Sequence, residues 1–154
     1  MESLSENPEP LLFDLSRRYA AAVDRRDVDA LLSVFAPEGR MSLCTGRDPD
    51  EIVRVISGHE ELAAVPARLR RYDRTFHFVG QAGYEVDGDR ASGEVYCIAH
   101  HLTVGPSGTE NKVMYIRYID EYRFGPPGGW RIDHRRVQLD WTEVRAADAP
   151  GTNF

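Results

Sequence analysis

From Arg74 onward the chain reads as long extended runs joined by links too short for anything but a reversal. The runs are Arg74–Val86, Arg90–Val104, Asn111–Phe124 and Trp130–Trp141, rich in β-branched and aromatic residues. The links are Asp87-Gly88-Asp89, Gly105-Pro106-Ser107-Gly108 and Gly125-Pro126-Pro127-Gly128-Gly129, all residues that accept tight turns. Such links demand antiparallel neighbours, because a parallel return needs about a dozen residues or more. The second half of the chain is thereby committed to one antiparallel meander, and the first half must cover it.

That first half supplies helices. Leu12, Leu15, Tyr19, Ala22 and Val23 form a helical stripe over Leu11–Asp24. Asp27 is placed to cap a second helix carrying Val28, Leu31, Leu32 and Phe35, which Pro37-Glu38-Gly39 stops. Arg40–Thr45 reads as a short strand. Asp48-Pro49-Asp50-Glu51 has the form of a helix start, with Asp48 as cap, Pro49 in the first helical position and Glu51 completing a capping box. A third helix is therefore expected, with Ile52, Val55 and Ile56 on one face and Gly58 at its end. Glu60–Leu69 reads as a weaker helix with a break before Pro66. Helices segregated from a meander make an α+β fold, with the helices on one face of a bent sheet. The expected organisation is a flexible arm over residues 1–9, one domain over 10–142 and a tail over 143–154.

The long strands are apolar on both faces. Phe76 and Phe78 oppose Val79; Met114, Ile116 and Tyr118 oppose Val113, Tyr115 and Ile119. One face covers the helices, and the other needs a partner to leave water. A homo-oligomer is the expected solution.

Composition narrows the function classes. A chain of 154 residues with 42% apolar content builds one core. A net charge of −6 argues against a nucleic-acid partner. The start, Met1-Glu2-Ser3-Leu4-Ser5-Glu6, lacks the basic and apolar regions of a signal peptide, and no run has transmembrane length, so no membrane partner is expected. Cys44 and Cys97, far apart in predicted strands, read as reduced thiols in a cytoplasmic protein. His59-Glu60-Glu61 lacks the second histidine of a zinc-peptidase helix, and the glycines sit in turns rather than in a phosphate loop. Neither metal nor cofactor is expected.

The candidate chemistry lies in polar residues that interrupt apolar patterns. Asp24 ends the first helix, and His77 sits mid-strand, sharing a face with Thr75, Val79 and Gln81. A carboxylate and an imidazole brought together make a general base near neutral pH; apart, they are a helix-end acid and a structural histidine. Tyr19, on the apolar stripe, reads as a core tyrosine with its hydroxyl at the rim. Five positions from Asp24, it does not stack below it on a helix of about 3.6 residues per turn, yet both can border one cavity. His100 and His101 are consecutive on a strand and point to opposite faces. Val95, Cys97, Ala99 and His101 form the smaller, more apolar face, which favours His101 for the site. Arg135 alternates in phase with Val137 and Leu139 and points inward, either to bind a carbonyl or anionic leaving group or to pair with a buried acid. His101, His100, Tyr96, Tyr115, Val95, Cys97 and Leu139 are the expected substrate-binding residues.

The residues Tyr19-Ala-Ala-Ala-Val23-Asp24-Arg25-Arg26-Asp27, Val34-Phe35-Ala36-Pro37-Glu38-Gly39, His77-Phe78-Val79-Gly80 and Trp130-Arg131-Ile132 with Arg135 resemble the SnoaL-like group of the nuclear-transport-factor-2-like superfamily. The resemblance spans about residues 10–142. It implies a cone-shaped α+β barrel: a strongly bent, mostly antiparallel sheet around a pocket, closed by the N-terminal helices. The motifs are most similar to the branch holding scytalone dehydratase, lindane dehydrochlorinase and bile-acid 7α-dehydratase, with ketosteroid isomerase and polyketide cyclases as other relatives. The resemblance implies that Asp24 and His77 form a catalytic dyad, with Tyr19 and Arg135 assisting. The function expected is a cofactor-independent lyase or isomerase that takes a proton from carbon of a small, largely apolar, oxygenated substrate. A polyketide cyclase and a non-catalytic small-molecule-binding module of the same fold are the alternatives. Its relatives point to a trimer rather than a dimer.

Overall fold

The N-terminal helix α1 (Glu9–Arg25) buries the stripe of the sequence, Leu12, Leu15, Tyr19, Ala22 and Val23, against the sheet. The structure, a computed structural model, describes residues 7–46, 48–126 and 128–152. Residues 1–6 of the expected arm and 153–154 of the expected tail lie outside them, as do Arg47 and Pro127. Helix α2 (Val28–Val34) starts as expected, with the Asp27 side chain accepting from the Ala30 backbone N–H. It passes without a loop into strand β1 (Phe35–Thr45), so Pro37-Glu38-Gly39 belongs to an irregular strand start rather than to a helix stop.

The expected helix after Asp48 is a strand. Asp48 does cap, but it caps a turn: its Oδ1 accepts from Asp50 N–H at 2.9 Å and its carbonyl from Glu51 N–H at 3.0 Å. Ile52–Ser57 then forms β2, an edge strand paired antiparallel with β1. The β-branched run Ile52-Val53-Arg54-Val55-Ile56 favours extended backbone, and the register of Ile56 with Met41 buries its one core residue. The weak helix resolves into α3 (Gly58–Leu62), α4 (Val65–Arg68, Pro66 in its first turn) and a 3-10 turn over Leu69–Arg71.

The four long strands are β3 (Arg74–Asp87), β4 (Arg90–Gly105), β5 (Gly108–Phe124) and β6 (Trp130–Ala147). β6 runs past the expected end at Trp141. The sheet order is β2-β1-β6-β5-β4-β3, antiparallel throughout except where β1 lies parallel to β6. This is an α+β cone, with a mixed sheet wrapped around α1. A bulge at Gly80-Gln81 bends β3, and Gly93 leaves room for the Tyr84 ring, which lies 2.5 Å from where a Cβ would stand. The concave face carries Val95, Cys97 and Ala99 of β4 and Ile116, Tyr118 and Tyr122 of β5, all buried with the α1 stripe. Among the described residues no helix is long and apolar enough to cross a membrane.

Candidate active site

Helix α1 delivers Asp24 to β3. The helix ends in a Schellman arrangement: Arg26 N–H donates to the Val23 carbonyl, Asp27 N–H to that of Ala22, and Arg26 takes the left-handed conformation at φ 57°. Two residues before that reversal, Asp24 faces the start of β3. Thr75 and His77 share a strand face, and both turn to it. The Thr75 hydroxyl donates to Asp24 Oδ1 at 2.9 Å, the His77 backbone N–H to Oδ2 at 2.9 Å, and His77 Nδ1 lies 2.7 Å from Oδ1.

Burial pushes the Asp24 carboxyl up, but the hydrogen bonds from His77 and Thr75 and the imidazole charge outweigh it and hold the group below its ordinary value. Asp24 is therefore ionised at neutral pH. A carboxylate can only accept, so His77 presents a proton at Nδ1, and in the neutral form of the ring Nε2 carries the lone pair. The His77 side chain is 8% exposed and that of Asp24 22%, a pair shielded but not sealed.

His101 lies opposite Thr75 across the β3–β4 ladder. Its ring centroid is 5.7 Å from that of His77 and 4.7 Å from that of Tyr72. Its Nδ1 sits 3.2 Å from the Lys112 carbonyl and so donates, leaving Nε2 as acceptor. Burial, with the neighbouring His77, pushes the His101 pKa down to about 4, and the ring is neutral. Two imidazoles in defined tautomers thus stand side by side, one backed by a carboxylate. That arrangement can take up a proton and hold a second hydrogen-bond donor.

A second polar cluster lies deeper. Arg135 of β6 donates to Asp120 of β5 through Nε at 3.0 Å and Nη2 at 2.7 Å, and Nη2 also reaches Ser16 Oγ at 2.7 Å. Both side chains are fully buried. The guanidinium lies 4.4 Å from the Tyr19 ring centroid and 4.0 Å from that of Tyr118. Burial opposes its charge, yet Asp120 outweighs burial and raises the arginine above its ordinary value. Arg135 Nη1 has no partner among the described residues. Tyr19 donates its hydroxyl to Met41 Sδ at 3.4 Å, and burial pushes its phenol up to about 12.

The structure therefore brings Asp24, His77 and His101 together and sets Tyr19 against Arg135. Val95 and Cys97 are buried on the same concave face, and Leu139 is half-buried there, level with Ile116. His100, Tyr96 and Tyr115 do not join them. Tyr96 and His100 have the opposite strand parity from His101 and point to the convex face, where His100 Nδ1 meets Asn111 Nδ2 at 2.9 Å. Tyr115 stacks on Trp141 at 4.2 Å on that same face. Sequence reasoning gave no role to Thr75, Arg26, Ser16 or Asp120. Asp120 had a signal, a lone acid in the alternation Ile116, Tyr118, Asp120, Tyr122; Arg26 and Ser16 had none.

Residues 13–136 match the model of the SnoaL-like domain. The chain belongs to the SnoaL-like domain family. No curated protein matches its sequence. Among solved structures, this SnoaL-like chain is similar to a variant of Rv3472 from Mycobacterium tuberculosis, a protein of unknown function, with 26% identity and a TM-score of 0.69 over 86% of this chain and 72% of the other. It is also similar to the hexachlorocyclohexane dehydrochlorinase LinA-type3 from Novosphingobium barchaimii LL02, with 17% identity and a TM-score of 0.72 over 95% and 92%. A candidate scytalone dehydratase from Novosphingobium aromaticivorans DSM 12444 aligns with 16% identity and a TM-score of 0.73 over 95% of both chains. At these identities the last two carry the fold.

Proposed function

We propose that this SnoaL-like protein is a cofactor-independent lyase or isomerase acting on a small, largely apolar, oxygenated molecule, with elimination of water as the reaction the site fits best. The 2.7 Å contact between Asp24 Oδ1 and His77 Nδ1 carries the reading. It fixes the tautomer that presents an unprotonated Nε2, and the ionised Asp24 stabilises the imidazolium that forms. Nε2 takes a proton from carbon. The C–H electron pair becomes a carbon–carbon double bond, and the C–O bond breaks with its pair on oxygen. The departing hydroxide takes the proton back from His77 and leaves as water, so no electrons are exchanged with a cofactor. His101, neutral and beside His77, holds the substrate through a hydroxyl proton. The Tyr19 hydroxyl, in only a weak bond to Met41 Sδ, and the unpartnered Arg135 Nη1 are the donors for developing negative charge on oxygen.

The test is to incubate the purified protein with small-molecule extracts of its source and follow losses of about 18 mass units, the mass of water. With the substrate found, Asp24→Asn and His77→Gln should each lower turnover by roughly two to four powers of ten, the usual scale for a positioned general base. The double variant should be little worse than either, because groups acting as a unit are non-additive. Near-wild-type turnover in His77→Gln would overturn the dyad mechanism, and an extract in which no component loses water would leave the fold as a binding module instead.

A further inference from the structure

Arg26 does more than end a helix. It holds the left-handed conformation that glycine usually takes at this position, and its guanidinium gathers three separate segments. The two Nη1 hydrogens are shared among the carbonyls of Val23 at 2.9 Å and Asp24 at 3.1 Å and Thr75 Oγ1 at 2.6 Å; Nη2 donates to the Leu69 carbonyl at 3.1 Å. The end of α1, the start of β3 and the 3-10 turn leading to Tyr72, whose ring lies against His101, thus meet on one side chain.

The contact with Thr75 has a directional consequence. A guanidinium only donates, so Thr75 Oγ1 must accept from it, and the single hydroxyl proton is left for Asp24 Oδ1, 2.9 Å away. That same oxygen receives the His77 Nδ1 proton. We propose that Arg26 is a positioning residue that acts through the Thr75 hydroxyl to hold the Asp24 carboxylate in the one orientation that aligns it with His77. The proposal rests on the catalytic reading of the dyad for its consequence, but the alignment can be read without turnover. Arg26 touches neither the imidazole nor any reacting atom; it sets the rotor that orients the acid.

The experiment is proton NMR on protein labelled with 15N-histidine. The His77 Nδ1 proton, shielded against Asp24, should give a slowly exchanging low-field resonance that disappears in His77→Gln. Arg26→Gly and Arg26→Asn both suit the left-handed backbone and lack the reach to Thr75; they also lose the bonds to the Val23, Asp24 and Leu69 carbonyls, so their melting temperatures should fall modestly while the protein stays folded at the temperature of the measurement. Exchange of the His77 proton should nevertheless become about tenfold faster, the scale of one lost hydrogen bond. Thr75→Val should do the same, and Thr75→Ser should restore wild-type exchange. Combining Arg26→Gly with Thr75→Val should add nothing, since both cut one chain of contacts. Unchanged exchange in the folded Arg26 variants, an effect of Arg26 without one of Thr75, or effects that multiply in the double variant would each overturn the proposal. Failure of the dyad as a catalyst shows separately, as unchanged turnover in His77→Gln.

Discussion

A fully buried arginine is tolerated only because a carboxylate meets it, and the Arg135–Asp120 pair shows how strictly that condition binds the rest of the core. Ser16, Tyr122 and the rings of Tyr19 and Tyr118 complete the shell around two charges with no solvent exposure. Removing one charge strands the other, so Asp120→Ala should destabilise the protein by about 3–5 kcal/mol in urea unfolding. Replacing both with leucine should recover much of that loss. The inward phase of Arg135 was legible in its alternation with Val137 and Leu139; which acid it meets was not, because β5–β6 register decides it. His101 yields a second prediction. Its folded-state pKa, pushed by burial from 6.5 down to about 4, means that between those values the unfolded chain binds a proton the native ring refuses. Stability should therefore fall as pH drops from about 6.5 to 4, with buried His134, also pushed down, adding in the same direction. His101→Asn should flatten part of that slope in urea titrations across this range.

At the scale of elements, turn chemistry was the legible part. The links at Asp87-Gly88-Asp89 and Gly105-Pro106-Ser107-Gly108 placed β3 and β4 to within one residue, because short antiparallel reversals leave no alternative, while β5 starts at Gly108 rather than at the expected Asn111. The passage from α2 to β2 misled for a physical reason. A cap such as Asp48 and a stop such as Pro37-Glu38-Gly39 are local signals, whereas β1 and β2 exist because each pairs with a strand elsewhere, β1 with β6 ninety and more residues on. Gly39 marks that non-local constraint. A Cβ there would lie 2.9 Å from the carbonyl oxygens of both Ala36 and Ile132, where α2 hands over to β1 beside β6. Backbone atoms cannot swing away as a side chain can. Gly39→Ala should lower stability by about 1–3 kcal/mol, the usual range for overpacking a tight site. Thermal melts of this variant against Gly83→Ala, where a Cβ meets nothing within 4 Å, separate crowding from a general effect of losing glycine.

For the whole molecule, the convex face of the cone is the exposed apolar surface. The concave face packs against α1 and carries the dyad. The convex face presents Phe76 and Phe78, each 62% exposed, with Tyr96, Ile98 and Trp141 beside them. Phe78, Tyr96, Ile98, Tyr115 and Trp141 line a groove of about 240 Å³. Its flanking charges are already matched, Arg117 bonding to Asp140 at 2.9 and 3.0 Å. An apolar surface with neutralised charges favours a like surface over water, and a second copy of the chain offers one. The two-sided apolar strands carry the same expectation at the level of sequence. The proposed assembly should appear as an oligomer in light scattering at micromolar concentration. Phe78→Asp, which sets a charge in the groove far from the α1 core, should dissociate it to a monomer that keeps its fold and its Asp24–His77 pairing. A wild-type protein that stays monomeric at that concentration would remove the assembly while leaving the dyad untouched, because the sheet separates the two faces.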